Sequence, residues 1–430
     1  MDYPQVIKYL YEQLPMFQRI GPVAFKKNLD NTLALCAALD NPHLKFKSIH
    51  IGGTNGKGSS SHMLAAVFQS AGYKTGLYTS PHLKEFTERI RVNGNEIPQK
   101  KVIDFVLKNK SLIESVKPSF FEMTVVMAFD HFAKEGVDVA IIEVGLGGRL
   151  DSTNVIQPIC SLITNIGYDH QALLGNTLEE IAFEKAGIIK PETPIVVSEM
   201  QKEVKEVFER ISRERNAPLF FGDSKYRVIK KELRNGKLVV DVFTDKGKLF
   251  EELQLGLSAD YQIKNLPGVL KTIAIAKDNG FTIEIDAIRR GIMKTSELTG
   301  LKGRWQKLAE KPLVICDTGH NEDGIREVLK QIENTPYKKL FIVFGTVNDK
   351  DINKILNLLP KTASYFFCEA SIPRALPATD LQKAAERVGL KGEVVKNVND
   401  AIAEAKRKAQ EEDLIFVGGS NFVVAEINDL

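Results

Sequence analysis

From Phe46 to about Glu199, short apolar runs alternate with helical patterns, and this alternation limits the fold more than any other feature of the 430-residue chain. Strand, helix and strand in succession close as a parallel sheet with crossover helices. The first apolar run, Ile49-His50-Ile51, leads into Gly52-Gly53-Thr54-Asn55-Gly56-Lys57-Gly58-Ser59. Glycines there let backbone N–H groups approach a phosphate, and the helix that follows adds partial positive charge. Lys57 suits the β- and γ-phosphates of a nucleotide, and Ser59 suits Mg²⁺. The run departs twice from G-x-x-x-x-G-K-[ST]. Ile51 stands at the first glycine, and Gly58 separates Lys57 from its serine.

Further strands are expected up to Thr79-Ser80, over Val137 to Val144, Ile159 to Asn165 and Pro194 to Ser198. Helices are expected after Lys57, over Thr124 to Ala133 and over Leu178 to Ala186. Asn235-Gly236 between two alternating runs, Tyr226 to Leu233 and Lys237 to Thr244, predicts a hairpin. A helix bearing Lys264, Leu270, Ile273 and Ile275 is expected to be interrupted at Pro267-Gly268. The polar stretch Thr295 to Gly303 reads as a linker. Beyond it a second β/α alternation has strands at Leu313 to Cys316, Leu340 to Phe344, Tyr365 to Cys368, Glu393 to Val395 and Leu414 to Val417. The expected architecture is α/β. Residues 1–298 form a P-loop ATPase domain with a mostly parallel sheet and a small antiparallel hairpin region, and residues 299–430 form a Rossmann-like domain.

A net charge of +3 gives no electrostatic case for nucleic acid or a membrane surface. Cys36, Cys160, Cys316 and Cys368 are widely spaced and form no CxxC pair, which fits free thiols in a reducing compartment. With no signal-peptide pattern and no membrane-length apolar run, a cytoplasmic protein is expected.

Open α/β sheets bind ligands at the carboxyl ends of their strands. The strand ends deliver Lys57, then Thr79-Ser80-Pro81-His82, then Glu143, then Asp169-His170. Glu143 beside a phosphate loop is the expected Mg²⁺ carboxylate. On residue chemistry alone, His170 divides evenly between metal ligation and hydrogen bonding. His43, His50, His62 and His131 read as surface or packing residues, and His82 as structuring its loop or lying near the site. Apolar flanks turn Lys185 inward, where an amine needs a phosphate, a carboxylate or a covalent modification. In the second domain, Asp317-Thr318-Gly319-His320-Asn321 and Gly418-Gly419-Ser420-Asn421 again put polar groups between a strand and a helix.

These motifs closely resemble the folylpolyglutamate synthase/dihydrofolate synthase family, within the Mur-ligase-like amide-bond ligases, over nearly the whole chain. The resemblance rests on Gly53 to Ser59 with its inserted glycine, on Ile141 to Asp151 and on Thr79-Ser80-Pro81-His82-Leu83. Glu88-Arg89-Ile90, Gly167-Tyr168-Asp169-His170 and Glu184 to Lys190 extend it. It implies ATP-dependent addition of L-glutamate to folates or to dihydropteroate through an acyl phosphate. It implies Mg²⁺, in two sites, on Ser80, Glu143 and His170, with a carbamylated Lys185 helping to hold the second, and room for a monovalent cation. ATP contacts are implied at Thr54, Asn55, Gly56, Lys57, Gly58 and Ser59, and at Asn265, Arg304 and Asp317. The pterin-bearing substrate is implied near Phe120, Phe121, Glu122, Asp151 and Ser152, and the incoming glutamate near His320 and Ser420. Catalytic roles fall on Lys57, Glu143, His170 and Lys185, in a monomer. The chain departs from the family at Thr318-Gly319, where Gly-Ala is usual, and at Ser119, where threonine is common. A Mur-type ligase for a cell-wall precursor and a nucleotide-driven switch are the competing readings.

Overall fold

The computed structural model describes residues 1–15, 28–348 and 352–430. The chain divides into two compact units, Met1–Leu301 and Lys302–Leu430.

The first unit is built on eight strands: β1 Lys47–Gly52, β2 Thr75–Tyr78, β3 Ile90–Val92, β4 Asn95–Glu96, β5 Val139–Glu143, β6 Cys160–Ile163, β7 Ile195–Val197 and β8 Leu219–Phe221. Their order is β4-β3-β2-β5-β1-β6-β7-β8. The six strands from β2 to β8 in that order run parallel, while β3 and β4 add an antiparallel edge. The central strands read as unbroken apolar runs because both faces are covered. In β5, Val139 and Ile141 enter one core, and Ala140 and Ile142 enter the other. That is the two-residue period of a strand. The first core includes the phosphate-loop helix Lys57–Ser70, and the second includes the helix Phe120–Glu135.

The expected hairpin is present as β9 Arg227–Arg234 and β10 Lys237–Thr244, with Asn235 at φ 52 and Gly236 at φ 72. Two left-handed residues in succession match the right-handed twist of the strands they join. A third strand, β11 Gly247–Leu255, extends it to an antiparallel sheet of three. The linker stretch contains a short helix, Thr295–Thr299.

The expected break at Pro267-Gly268 does not occur. One helix runs from Gln262 to Asp278 with Pro267 inside it. The reason is a hydroxyl borrowed from the sheet. Ser198, just after β7, accepts from Gly268 N at 3.1 Å and donates to Lys264 O at 2.7 Å. It thereby stands in for the ordinary bond between residues four apart. Only glycine fits at 268, since a Cβ would lie 2.6 Å from Ser198 Oγ.

The second unit has a six-stranded sheet, β12 Gln306–Glu310, β13 Leu313–Cys316, β14 Leu340–Phe344, β15 Ser364–Phe367, β16 Gly392–Val394 and β17 Leu414–Gly418. Their order is β12-β13-β17-β14-β15-β16, parallel except for β12. This is a Rossmann-like arrangement. No helix among the described residues is long and apolar enough to cross a membrane.

Candidate active site

The phosphate loop leaves β1 at Gly53 (φ 132), turns at Gly56 (φ 86) and enters its helix at Lys57. Gly56 caps that helix without a side-chain hydrogen bond. The first helical N–H groups therefore face outward, as anion binding needs. The segment after β6 holds the loop from beneath. Thr164 Oγ1 donates to Asn55 O at 2.5 Å, Asn165 O accepts from Thr54 N at 2.9 Å, and Asn165 Oδ1 accepts from Asn55 N at 2.9 Å. The Thr54 hydroxyl is spent on Gly167, accepting from its N at 3.0 Å and donating to its O at 3.2 Å. Contact is tightest at Gly53, where a Cβ would stand 1.9 Å from Thr164 Oγ1. Gly53→Ala is accordingly expected to cost about 2–4 kcal/mol from clash plus left-handed strain, read as a lowered denaturant midpoint.

Two lysines converge on one carbonyl. Lys57 Nζ donates to Gly53 O and Thr54 O, both at 3.1 Å, and Lys185 Nζ donates to Gly53 O at 2.8 Å. Lys185 is buried at the end of the helix Leu178–Ala186. Burial, and then the charge of Lys57, bring its pKa down to about 7, against the opposing pull of Asp169 and Asp151. An amine this close to neutrality at physiological pH is a nucleophile as well as a donor.

Glu143 closes β5 beside Ile51 of β1, and its Oε2 accepts from Ser80 N at 3.2 Å. Ser80 and Glu143 therefore meet. His170 sits in the left-handed region (φ 51), with its backbone N–H on Asp169 Oδ1 at 2.9 Å. Its side chain is about one-third exposed. Among the described residues, no three His, Cys, Asp or Glu side chains gather into a metal-binding group.

Beneath Ser80 lies a buried polar cluster. Arg89 Nε donates to His82 Nδ1 at 2.7 Å, and the Arg89 guanidinium stands 5.3 Å from the centre of the Phe120 ring. Burial and the neighbouring Arg89 charge hold His82 well below the usual imidazole range. It is a neutral ring that structures its loop. His50 also packs inside, on Thr153 Oγ1 at 2.8 Å, with burial pushing it down to about 3.

Several residues expected at the pterin carry structural bonds. Phe120 is buried against Tyr11 and Phe86. Glu122 closes a capping box with Ser119, accepting from its N–H at 2.5 Å, while Ser119 Oγ accepts from Glu122 N at 3.2 Å. A serine caps as well as a threonine there. Asp151 accepts from Leu146 N at 2.8 Å and from Thr153 N at 2.9 Å, and burial raises its pKa. Ser152 is buried in the turn after it. Phe121 is half-buried and rests on the loop after β5, where a Cβ at Gly145 would lie 2.3 Å from its ring.

Asn265 lies over the loop, its Oδ1 2.2 Å from where a Cβ of Gly56 would stand. Its Nδ2 donates to Gln262 Oε1 at 2.8 Å, and Gln262 Nε2 donates to Ser59 Oγ at 3.1 Å. Sequence reasoning missed Gln262. The only trace of it is a glutamine three residues before Asn265, on the same helix face.

In the second unit, Asp317 holds Trp305 N at 2.7 Å and Gly319 N at 2.8 Å through its two oxygens. Trp305 thereby takes a left-handed φ of 47. Arg304 is bonded to Thr318 Oγ1, a hydroxyl that the glycine usual in the family lacks. That departure gives Arg304 a hydroxyl partner within the turn. His320 Nδ1 donates to Thr318 O at 2.9 Å, and Ser420 Oγ accepts from Val423 N at 3.1 Å.

The chain matches the Mur ligase middle domain over residues 51–273 and the Mur ligase, glutamate ligase domain over residues 303–421. It is 33% identical over 412 residues to the dihydrofolate synthase/folylpolyglutamate synthase of Bacillus subtilis, covering 94% of each chain. It is 32% identical to a probable bifunctional folylpolyglutamate synthase/dihydropteroate synthase of Haloferax volcanii, but spans only 50% of that protein's length. Among solved structures it resembles E. coli FolC in complex with DHPP and ADP (TM-score 0.87, 28% identity, 99% of this chain and 96% of that one). It also resembles the Mycobacterium tuberculosis folylpolyglutamate synthase complexed with ADP and AMPPCP (TM-score 0.85, 30% identity, 99% and 98%).

Proposed function

This chain belongs to the Mur-ligase-like folylpolyglutamate synthase/dihydrofolate synthase family, and from that premise we propose that it joins L-glutamate to a folate or to dihydropteroate at the expense of ATP. The observation that carries this reading is the meeting of Lys57 and Lys185 at Gly53 O, at the mouth of an anion-binding helix.

The substrate carboxylate attacks the γ-phosphoryl group, giving an acyl phosphate and ADP. The glutamate amine then displaces phosphate. Charge grows on phosphoryl oxygens in the first step, so positioned cations and N–H groups do most of the work. The backbone N–H groups from Gly56 to Ser59 cradle the phosphates, and Lys57 turns from its own loop carbonyls to the γ-phosphate. Within the first unit, Asn265 lies over the loop and adds a nucleotide contact; in the second unit, the family resemblance assigns Arg304 and Asp317 to ATP and His320 and Ser420 to the incoming glutamate. Phe121, half-buried beside the loop after β5, is the best placed of the pterin candidates.

The Glu143 carboxylate beside Ser80 suits Mg²⁺, which takes hard oxygens and few protein ligands. Glu143, the Ser80 hydroxyl and, on the family resemblance, the His170 ring would hold it, and it would neutralise phosphate charge. Lys185, with an amine pKa of about 7, is set to add to CO₂. Its nitrogen would bond the carbon and release one proton, leaving a carbamate that would pair with Lys57 and could help hold a second Mg²⁺.

The test supplies Mg·ATP, L-glutamate and either dihydropteroate or tetrahydrofolate to the purified protein, following ADP release and product mass. ADP release that requires both acceptor and glutamate, with a product heavier by one glutamyl residue, is the expected result. ADP release with neither substrate present would overturn the ligase reading in favour of a nucleotide-driven switch.

A further inference from the structure

We propose that Gln262 is a positioning residue for the nucleotide, fixing Asn265 and Ser59 in one geometry across the phosphate loop. The inference rests on the reading that this loop holds ATP.

Gln262 is fully buried at the first residue of its helix. Its amide uses both ends. Nε2 donates to Ser59 Oγ at 3.1 Å, and Oε1 accepts from Asn265 Nδ2 at 2.8 Å. Ser59 accepts in this pair, so its own proton remains to be donated elsewhere. Asn265 has its Nδ2 committed to Gln262, which turns Oδ1 toward Gly56. The direction of each amide is thus set by its neighbour, in a row running from the phosphate-loop helix to the loop itself. Such rows are stiff in a dry interior, because reversing one member leaves a buried donor facing a donor.

The backbone beneath Asn265 is held separately. Ser198 Oγ occupies the gap between Gly268 N and Lys264 O, and also lies 3.3 Å from Asn265 O. The turn that carries Asn265 is therefore fastened to the end of β7, while its side chain is aimed by Gln262. Ser198 acts on the backbone beneath Asn265, and Gln262 aims its side chain from an anchor on Ser59. Both act through Asn265.

Gln262→Met keeps the volume and removes both hydrogen-bonding ends. Calorimetric titration with ADP is expected to show a dissociation constant raised about fivefold to tenfold, the worth of a buried hydrogen bond. Turnover at saturating ATP and the KM for glutamate are expected to stay within about twofold, because neither depends on aiming Asn265. Combination with Asn265→Ala supplies the readout that a merely structural role would not move. If Gln262 works through Asn265, the double variant binds ADP about as weakly as Asn265→Ala alone. Should Gln262→Met fail to fold, Gln262→Leu, which likewise removes both hydrogen-bonding ends, carries the same cycle. Wild-type ADP affinity in the variant, or losses that multiply in the double variant, would overturn the proposal. Absence of ADP binding by the unmodified protein would instead overturn the nucleotide reading beneath it.

Discussion

Lys185→Ala is expected to lower ligase turnover by about a hundredfold or more, with short carboxylates such as acetate restoring part of it. The side chain donates to the carbonyl at the base of the phosphate loop and lies beside Lys57, so two ammonium groups crowd one carbonyl. That repulsion, added to burial, makes the neutral amine accessible. The proposed carbamylation would convert the site from two cations into an ion pair. Below pH about 7 the amine gains a proton and cannot add CO₂, so activity is expected to fall there and to recover as pH rises. Stability moves in the same sense for the unmodified amine. Its pKa drops from 10.5 to about 7 on folding, so the penalty for burying its charge is full below pH 7 and fades as pH climbs toward 10.5. A ¹³C-bicarbonate NMR signal assigned to Lys185 is the direct check. Full turnover in Lys185→Ala without added carboxylate would remove the carbamate from the mechanism.

Lys57→Met is expected to reduce kcat by about three orders of magnitude while leaving the melting temperature near wild type. The ammonium bonds only to carbonyls of its own loop, and the rest of the loop is held by Thr164, Asn165 and Gly167. Its loss removes transition-state charge stabilisation without loosening the cradle. The variant also relieves the repulsion on Lys185, so the Lys185 pKa rises and its carbamate requires a higher pH. A pH profile shifted upward in Lys57→Met, alongside the loss of turnover, distinguishes this coupling from simple loss of phosphate binding. An unshifted profile would separate the two lysines.

What could be read in the sequence was chemistry placed at the ends of strands. Glu143 follows four apolar residues of β5, and Lys57 follows a glycine turn after β1, so both announce themselves within a few residues. The supports did not. Thr164 braces Asn55 from 109 positions away, and Gln262 reaches Ser59 across 203. Contacts of that span leave no periodicity behind. Pro267 illustrates the same gap in the other direction. Local propensity predicts a break, and a hydroxyl from another element removes the reason for one. Glu122 shows how one residue supports two readings. Its spacing from Ser119 is that of a capping box, and its carboxylate is engaged there at the start of the helix Phe120–Glu135.

The bracing of the phosphate loop by the segment after β6 has a thermodynamic side. A flexible loop would have to surrender conformational entropy when a nucleotide arrived, and the affinity would be weaker by that amount. Here Thr54 and Asn55 are already immobilised by Asn165 and Gly167 during folding. The ordering is completed once, when the protein is made, rather than again in every catalytic cycle. Each turnover then exchanges ADP for ATP on a template already in shape.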